Sequence, residues 1–185
     1  MVEFITSDEL RSYAAKRSEA EQARMRMAAR ARSPQGATFL SHSSKDKDLV
    51  VGAIIVLENH GAQVYVDEVD PEMPPYTNTQ TANLLKSRIR QSRKFVVLTS
   101  KNSKESRWVP WELGLADGYK DLPNIAIFPS SDTAHDMSWA DWEYLGLYHR
   151  IVWGKHQNYQ KEIWMVLDQR TFTATELSVW LRRPT

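Results

Sequence analysis

Apolar and polar positions along the chain follow a repeating strand–helix pattern. Short apolar runs, which are typical of buried parallel strands, occupy residues 37–41, 62–67, 95–100 and 124–129. Segments with helical periodicity separate these runs, at residues 46–59 and 79–93 and from a start between 106 and 110 to about 118. Because short links between such units favour right-handed crossovers, we predict an α/β fold with a parallel sheet covered by helices on both faces.

A polar helix predicted at residues 7–32 precedes this strand–helix pattern. Its apolar residues are few and small, so its apolar stripe is too thin to bury much surface. We therefore expect a docking or self-association arm rather than a part of the main core. The sequence Ser33-Pro34-Gln35-Gly36 breaks the helix. It sets the predicted boundary between an N-terminal helical extension at residues 1–36 and the main domain at 37–185.

Beyond about residue 131 the pattern changes to C-terminal elements that we expect to be family-specific. The aromatic stretch at 139–144 is expected to cover the sheet edge, or alternatively to act as a lid over a pocket. Alternating segments at 148–153 and 162–167 predict two strands paired as a β-hairpin. A short helix at 174–182 follows them.

The carboxylate of Glu112 is the most informative chemical group in the sequence. It follows the apolar run at 95–100, in a helix for which Ser106 is a credible N-cap and Pro110 a tolerable first-turn residue. Trp108 lies four residues earlier, so both side chains share one helix face. This helix start belongs to the carboxyl edge of the predicted sheet, where open α/β sheets bind ligands. The helix dipole there favours an ionised, partly exposed Glu112.

A fixed anion beside a flat indole suits a ligand that carries a cationic ring or develops positive charge. The alternative is that Glu112 only stabilises its helix and that Trp108 only packs. In a partly exposed position the carboxylate contributes about 0.3–1 kcal/mol to stability, so its replacement is expected to leave the fold intact.

Composition limits the classes of protein to consider. The 185 residues, 42% hydrophobic and 25% charged, suit one domain with a proper core. The chain has no cysteine, which excludes disulfides, thiolate metal sites and a cysteine nucleophile. No apolar run approaches the ~18 residues that span a bilayer. Since the N-terminus also differs from a secretory signal, we expect a cytoplasmic protein without membrane partners.

Three other features are weaker candidates for a functional site. A basic run between Lys86 and Arg107 could bind nucleic acid or a pyrophosphate, but apart from Phe95, which belongs to a predicted strand, it lacks aromatic residues suited to base stacking. With a net charge of +1, a solvated surface is the better interpretation of that run. The five histidines lack metal-ligand spacing, so no metal site is predicted. No glycine-rich phosphate loop follows any strand, so no bound nucleotide cofactor is predicted.

Three motifs carry a family resemblance. The segment Phe39-Leu40-Ser41-His42-Ser43-Ser44-Lys45-Asp46 resembles the first strand and loop of bacterial TIR (Toll/interleukin-1 receptor) domains, and Val64-Tyr65-Val66-Asp67-Glu68 is similar to their second strand. Trp108-Val109-Pro110-Trp111-Glu112-Leu113 resembles their signature of Trp, three residues and Glu-Leu. The motifs occur in the family's order, and the likeness covers residues 37–129. It implies a flavodoxin-like sheet with strand order 2-1-3-4-5.

The resemblance also implies a function. Many bacterial and plant TIR domains cleave the nicotinamide–ribose bond of NAD+, giving ADP-ribose or cyclic or conjugated ADP-ribose signals in anti-phage defence, as in Thoeris-like systems. The glutamate of their signature is catalytic and corresponds to Glu112. NAD+ is then the substrate, and no separate cofactor is expected. The residues expected to bind the substrate belong to the matching motifs: Trp108, Ser41, His42, Ser43, Lys45 and Asp67.

One ionised carboxylate is in principle enough for this chemistry. NAD+ releases nicotinamide as a neutral pyridine, so no general acid is required. The transition state mainly needs charge stabilisation at an oxocarbenium-like ribose. The serines after the first strand could equally cap a helix without any ligand, and His42 could simply hydrogen-bond its own loop.

The loop after the second strand departs from the family. Many TIR domains carry a glycine after a proline there, whereas residues 70–76 contain none, so this loop is expected to be stiffer. In assembling TIR enzymes the loop completes a neighbouring subunit's site, which leaves the mode of self-association open. A separate effector that responds to the product is a further expected partner. Two other functions stay open: a non-catalytic TIR interaction module, and an enzyme similar to nucleoside 2-deoxyribosyltransferases.

Overall fold

The computed structural model describes residues 2–67, 79–135, 143–156 and 158–184. Within them a single sheet has nine strands, which are β1 Val2–Glu3, β2 Ile5–Thr6, β3 Thr38–Ser41, β4 Val64–Tyr65, β5 Lys94–Thr99, β6 Ile125–Ser131, β7 His149–Lys155, β8 Glu162–Asp168 and β9 Thr173–Glu176. The α-helices of the same part of the chain are α1 Ser7–Ala15, α2 Glu19–Ala31, α3 Lys47–Asn59, α4 Thr79–Gln91, α5 Lys101–Glu105, α6 Trp108–Tyr119 and α7 Leu177–Arg182. Short 3-10 helices lie at Leu122–Asn124 and Glu143–Leu147.

Five parallel strands form the centre of the sheet, in the order β4-β3-β5-β6-β7. Counted from β3, this is the order 2-1-3-4-5, so the predicted flavodoxin-like sheet is confirmed. The predicted hairpin is confirmed too, because β7 and β8 pair antiparallel. Strand β7 also pairs parallel with β6, so the hairpin continues the central sheet.

The sheet ends in one strand that the hydrophobic pattern does not predict. The segment at 174–182 predicts a helix throughout, but Thr173–Glu176 forms β9 against the open edge of β8 and α7 begins only at Leu177. Pairing with β8 satisfies backbone groups that would otherwise be unpaired at the edge. None of the helices described is long and apolar enough to span a bilayer.

Alternate residues of the central strands face opposite sides of the sheet. In β5, Phe95 and Val97 pack in a cluster that includes residues of α4 and α6. Val96 and Leu98 pack in a second cluster, which includes most of the apolar residues of α3. The predicted covering of both faces is therefore confirmed, and the period of two along the strands explains it.

The N-terminal segment contains two helices rather than the single helix predicted at 7–32. Helix α1 ends at Ala15, and α2 begins after Ser18. The Ser18 hydroxyl accepts the backbone N–H of Glu21 at 3.3 Å, and the Glu21 side chain accepts the Ser18 N–H at 2.8 Å. This capping box starts a new helix inside a sequence that is polar throughout.

The expectation that this segment is an arm outside the core is also wrong. Ile5, Leu10 and Ala29 are buried in the cluster on the α3 side of the sheet. Strand β1 pairs with the carboxyl end of β7, and β2 pairs with the carboxyl end of β6. Gly52 of α3 explains the close approach of α1, because a Cβ at that position would lie 2.2 Å from the carbonyl oxygen of Leu10.

We expect Gly52→Ala to lower the free energy of unfolding by about 1–3 kcal/mol, because its new methyl group collides with the backbone of α1. The measurement is urea denaturation followed by circular dichroism. Gly118→Ala in α6 is the matched control, since no heavy atom lies within 4 Å of its added Cβ. The free energy of unfolding of the control should rise by about 0.5–1 kcal/mol, because alanine has a higher helix propensity than glycine. Equal effects at the two positions would contradict this account of α1 packing.

Candidate active site

Ser41 lies at the carboxyl end of β3 and is 1% exposed. Alternation along the strand directs it to the same side as Phe39, which packs in the cluster that includes α4 and α6 residues. There the Ser41 hydroxyl donates a short hydrogen bond to Oε2 of Glu112. Two of the residues predicted for the site are therefore in direct contact.

Helix α6 lies on the sheet through one continuous face. Its buried residues are Val109, Glu112, Leu113 and Ala116, a spacing of three, four and seven that defines a single helix face. Glu112 is 4% exposed. The expectation of a partly exposed carboxylate in the first turn is therefore wrong. Glu112 is the fifth residue of α6, and its position in the apolar stripe carries it into the interior.

The N-cap of α6 is Arg107, which makes no side-chain cap hydrogen bond, so the predicted N-cap Ser106 lies one residue before it. The Ser106 hydroxyl still accepts the backbone N–H groups of Trp108 at 3.2 Å and Val109 at 3.3 Å, two of the groups that a helix start leaves unpaired. Pro110 is the third residue of α6, where its missing N–H costs least. The half-buried Trp108 ring packs edge-on against the ring of Trp111, with centroids 5.4 Å apart. An indole therefore lies one helical turn before Glu112.

Burial changes the ionisation of Glu112. Loss of hydration raises the pKa of Glu112 to about 8, while the hydrogen bond from Ser41 opposes the shift and the charge of Asp67 adds to it. The expectation that the helix dipole keeps this group ionised is therefore wrong for the unliganded protein at pH 7. Desolvation outweighs the dipole because Glu112 is buried beyond the first turn, where the dipole effect fades.

Asp67 follows β4 and is engaged in an ion pair. The Arg88 guanidinium of α4 donates to Oδ1 of Asp67 at 2.7 Å. The same guanidinium lies 5.7 Å from the ring centroid of Tyr65, over its face. Asp67 is near enough to Glu112 to influence the ionisation of Glu112. The ion pair with Arg88 fixes the orientation of the Asp67 carboxylate.

The loop after β3 carries the three remaining predicted residues. Ser43 is buried, and its hydroxyl accepts the N–H of Lys45 at 3.3 Å within the loop itself. The Lys45 ammonium pairs with Glu105 at 3.0 Å and is exposed. Burial lowers the pKa of His42 to about 4, so this ring is neutral, and its Nδ1 lies 3.5 Å from the Leu40 carbonyl oxygen. The loop is thus held by its own contacts at the edge of the site.

Asp46 is a residue of this edge that sequence reasoning missed. It is fully buried and accepts hydrogen bonds from the Ser100 hydroxyl at 2.5 Å and the Asn102 amide at 2.6 Å. These bonds tie the loop after β3 to the start of α5, a short helix where the sequence predicted a polar loop. The available signal was the aspartate that ends the motif at residues 39–46, at the start of the predicted helix.

Thr99 is a second residue that the sequence did not single out. It lies at the carboxyl end of β5, on the same side of the sheet as Val97 by strand alternation. Its hydroxyl is buried and has no hydrogen-bond partner among the described residues. The predicted loop at 68–78 and the tryptophans Trp139 and Trp142 lie outside those residues.

A 2-1-3-4-5 sheet with a buried glutamate on the helix after its third strand agrees with the class indicated by the three motifs. The family model for the TIR domain matches residues 38–162. The protein belongs to the TIR domain family. It is 35% identical to the probable 3' cyclic ADP-D-ribose synthase ThsB' of Bacillus cereus (strain MSX-D12) over 137 aligned residues. The alignment covers 72% of this chain and 70% of the Bacillus protein.

We expect the free energy of unfolding to fall as pH rises between about 4.5 and 8. The folded protein holds a proton on Glu112 in this range, because its pKa is raised from 4.5 to about 8, whereas the unfolded chain releases it. Glu112→Gln removes this titration. The variant should be more stable than the parent by about 1–3 kcal/mol at pH 9, with a smaller difference at pH 5.

Denaturation at several pH values measures this difference. Glu105→Gln is the matched control, because the Glu105 side chain is 69% exposed. It should leave the pH dependence of stability unchanged. An identical pH dependence in Glu112→Gln and the parent would show that Glu112 does not titrate as its burial requires.

Proposed function

We propose that this protein cleaves the nicotinamide–ribose bond of NAD+ and forms a cyclic ADP-ribose signal in anti-phage defence, with Glu112 as the catalytic carboxylate. The observation that carries the proposal is the buried carboxyl group of Glu112, oriented by Ser41 at the carboxyl edge of a TIR-domain sheet. The name of the Bacillus relative, a probable 3' cyclic ADP-D-ribose synthase, supports the cyclising outcome.

The chemistry needs little more than a fixed negative charge. As the bond from C1′ to the pyridine nitrogen breaks, its electron pair leaves with nicotinamide and positive charge moves onto the ribose ring. A carboxylate in a buried site stabilises that charge more strongly than one in water, since the surroundings screen it less. A nucleophile of the same ADP-ribose unit then captures C1′ and closes the ring, whereas capture by water gives ADP-ribose.

The raised pKa of Glu112 is compatible with this role. A pyridinium ring bound nearby favours the ionised carboxylate, so substrate binding and deprotonation reinforce each other. Ser41 acts as a positioning residue, because its hydroxyl donates to the carboxylate and stabilises its charge. In the free enzyme the fraction ionised, and with it kcat/KM, increases with pH toward about 8.

The other predicted residues have supporting roles in this proposal. Trp108 forms a wall for the nicotinamide ring, and the neutral His42 supplies a polar but uncharged lining. Lys45 is exposed, and its ammonium leaves the ion pair with Glu105 to bind a substrate phosphate. Ser43 and Asp67 help to fix the surroundings of Glu112 through their contacts with the loop and with Arg88. Self-association and a separate effector stay predictions.

We expect Glu112→Gln to reduce nicotinamide release from NAD+ at least about 10²-fold, because the variant keeps the shape of the side chain but cannot become negative. Nicotinamide is measured by chromatography and the product by mass spectrometry. Glu19→Gln, at an exposed glutamate of α2, is the matched control and should retain activity within about twofold, as expected for an exposed charge.

Three outcomes would contradict the proposal. Retained turnover in Glu112→Gln would remove that residue from the mechanism. An inactive parent protein, tested at high protein concentration, would favour a non-catalytic interaction module. Base exchange between deoxynucleosides with NAD+ untouched would instead indicate a transferase.

We expect Ser41→Ala to move the rise of kcat/KM to higher pH by about one pH unit, because the carboxylate of Glu112 loses a hydrogen bond that stabilises its charge. The measurement is initial rate against pH at NAD+ concentrations well below KM. Ser44→Ala, in the same loop, is the matched control and should leave the profile unchanged. An unshifted profile in Ser41→Ala would show that Ser41 does not set the ionisation of Glu112.

A further inference from the structure

A groove lined by arginines lies at the amino edge of the sheet, opposite the edge that carries Glu112. It has a volume of about 560 Å³. Arg90 near the end of α4, Arg93 directly before β5 and Arg182 at the end of α7 all line it. The three arginines therefore come from three separate parts of the chain and line one concave surface.

The backbone beneath this groove is held in place. Gly36, which directly precedes Ala37, has a φ of 73° that a residue with a side chain rarely adopts. Its N–H donates to the Gln91 carbonyl at 3.0 Å, and the Arg93 N–H donates to the Ala37 carbonyl at 2.7 Å. The Lys120 ammonium, a further cation, donates to the Ser92 carbonyl. The arginines therefore project from a fixed frame.

The arginines of the groove make no direct ion pair with the acidic residues that the structure describes. Among the described residues, no Asp or Glu forms an ion pair with Arg90, Arg93 or Arg182. The Arg90 guanidinium lies instead over the ring of Tyr119, 4.5 Å from its centroid. All three arginines are exposed, and the charge of Arg182 also acts on the Glu176 carboxylate. Because no carboxylate of the described residues is paired directly with any of the three, their summed charge attracts an anion to this surface.

Lys94 adds a buried positive charge next to the groove. It is 1% exposed, its ammonium donates to Oδ1 of Asn124 at 2.5 Å, and it lies 5.1 Å from the ring centroid of Trp180. Burial lowers the pKa of Lys94 to about 8, and the charge of Arg93 contributes to the same shift. Lys94 lines a second cavity of about 410 Å³, and Pro184 lines both cavities.

We propose that the arginine groove binds a small ligand through its pyrophosphate group, as a nucleoside diphosphate carries, at a site separate from that of Glu112. Guanidinium groups match phosphate oxygens with two parallel hydrogen bonds, so three arginines suit two adjoining phosphates. The groove has the volume of typical small-molecule sites, roughly 300–1,000 Å³.

A small ligand fits this surface better than a nucleic acid. Asp121 and Asp168 line the neighbouring cavity, so the positive surface is interrupted on that side. A nucleic acid backbone instead requires an extended run of cations that follows its phosphates. The net charge of +1 gives no general attraction to such a polymer either.

Isothermal titration calorimetry with inorganic pyrophosphate and, separately, with ADP tests the proposal on the whole chain. We expect both probes to bind the parent protein with one site. Arg93→Glu should weaken both at least about tenfold, because it removes a charge-assisted hydrogen bond and adds repulsion. Arg24→Glu, an exposed arginine of α2 with the same change in charge, is the matched control and should weaken binding less than about twofold.

The outcomes separate the possible ligands and the two sites. Tighter binding of ADP identifies a nucleotide as the ligand, and equal binding identifies the pyrophosphate group alone, both within the proposal. No binding of either probe, equal loss in Arg24→Glu, or binding of a single-stranded oligonucleotide only would overturn it. NAD+ turnover by Arg93→Glu reports on the Glu112 site independently, so a failure of one proposal leaves the other testable.

Discussion

Burial of the Glu112 carboxyl group against the Ser41 hydroxyl is the constraint on which the candidate active site depends. A carboxyl group inside an apolar cluster destabilises the folded protein when it is ionised. The chain tolerates this cost because Val109, Leu113 and Ala116 hold α6 against the sheet on either side of Glu112. The same burial lowers the screening around the carboxylate, which strengthens any interaction with a developing positive charge. The burial that destabilises the ionised carboxylate is therefore the same burial on which its proposed catalytic role depends.

The rest of the fold fixes the positions of Ser41 and Glu112 relative to each other. Ser41 is fixed by a buried parallel strand, and Asp46 connects the loop that follows it to the start of α5. On the face of the sheet opposite Glu112, α1 packs on α3 at Gly52. Strands β1 and β2 pair with the carboxyl ends of β7 and β6. The N-terminal segment therefore belongs to the structure that supports the active edge. The amino edge of the sheet instead collects cations, so the two edges present different chemistry.

Much of the central fold could be predicted from periodicity. The strands β3, β5 and β6 follow from apolar runs, and helices α3, α4 and α6 follow from periodic segments between them. Predictions failed where local signals were weak or where partners lie far away in sequence. The break between α1 and α2 depends on a capping box at Ser18 within a uniformly polar segment. Strand β9 exists because β8 offers an open edge, which no local pattern reveals.

By itself the sequence determined the α/β class and the place of a glutamate in the helix after the third predicted strand. Its motifs indicated the strand order only through their resemblance to TIR domains. Periodicity and motifs are local properties of the chain, so they can be seen before any packing. Only the tertiary structure decided that Glu112 is buried, that Ser41 donates to it and that Arg88 holds Asp67. Ionisation and hydrogen bonding depend on which distant groups surround a side chain and on how much water they exclude, and those quantities exist only once the elements have packed.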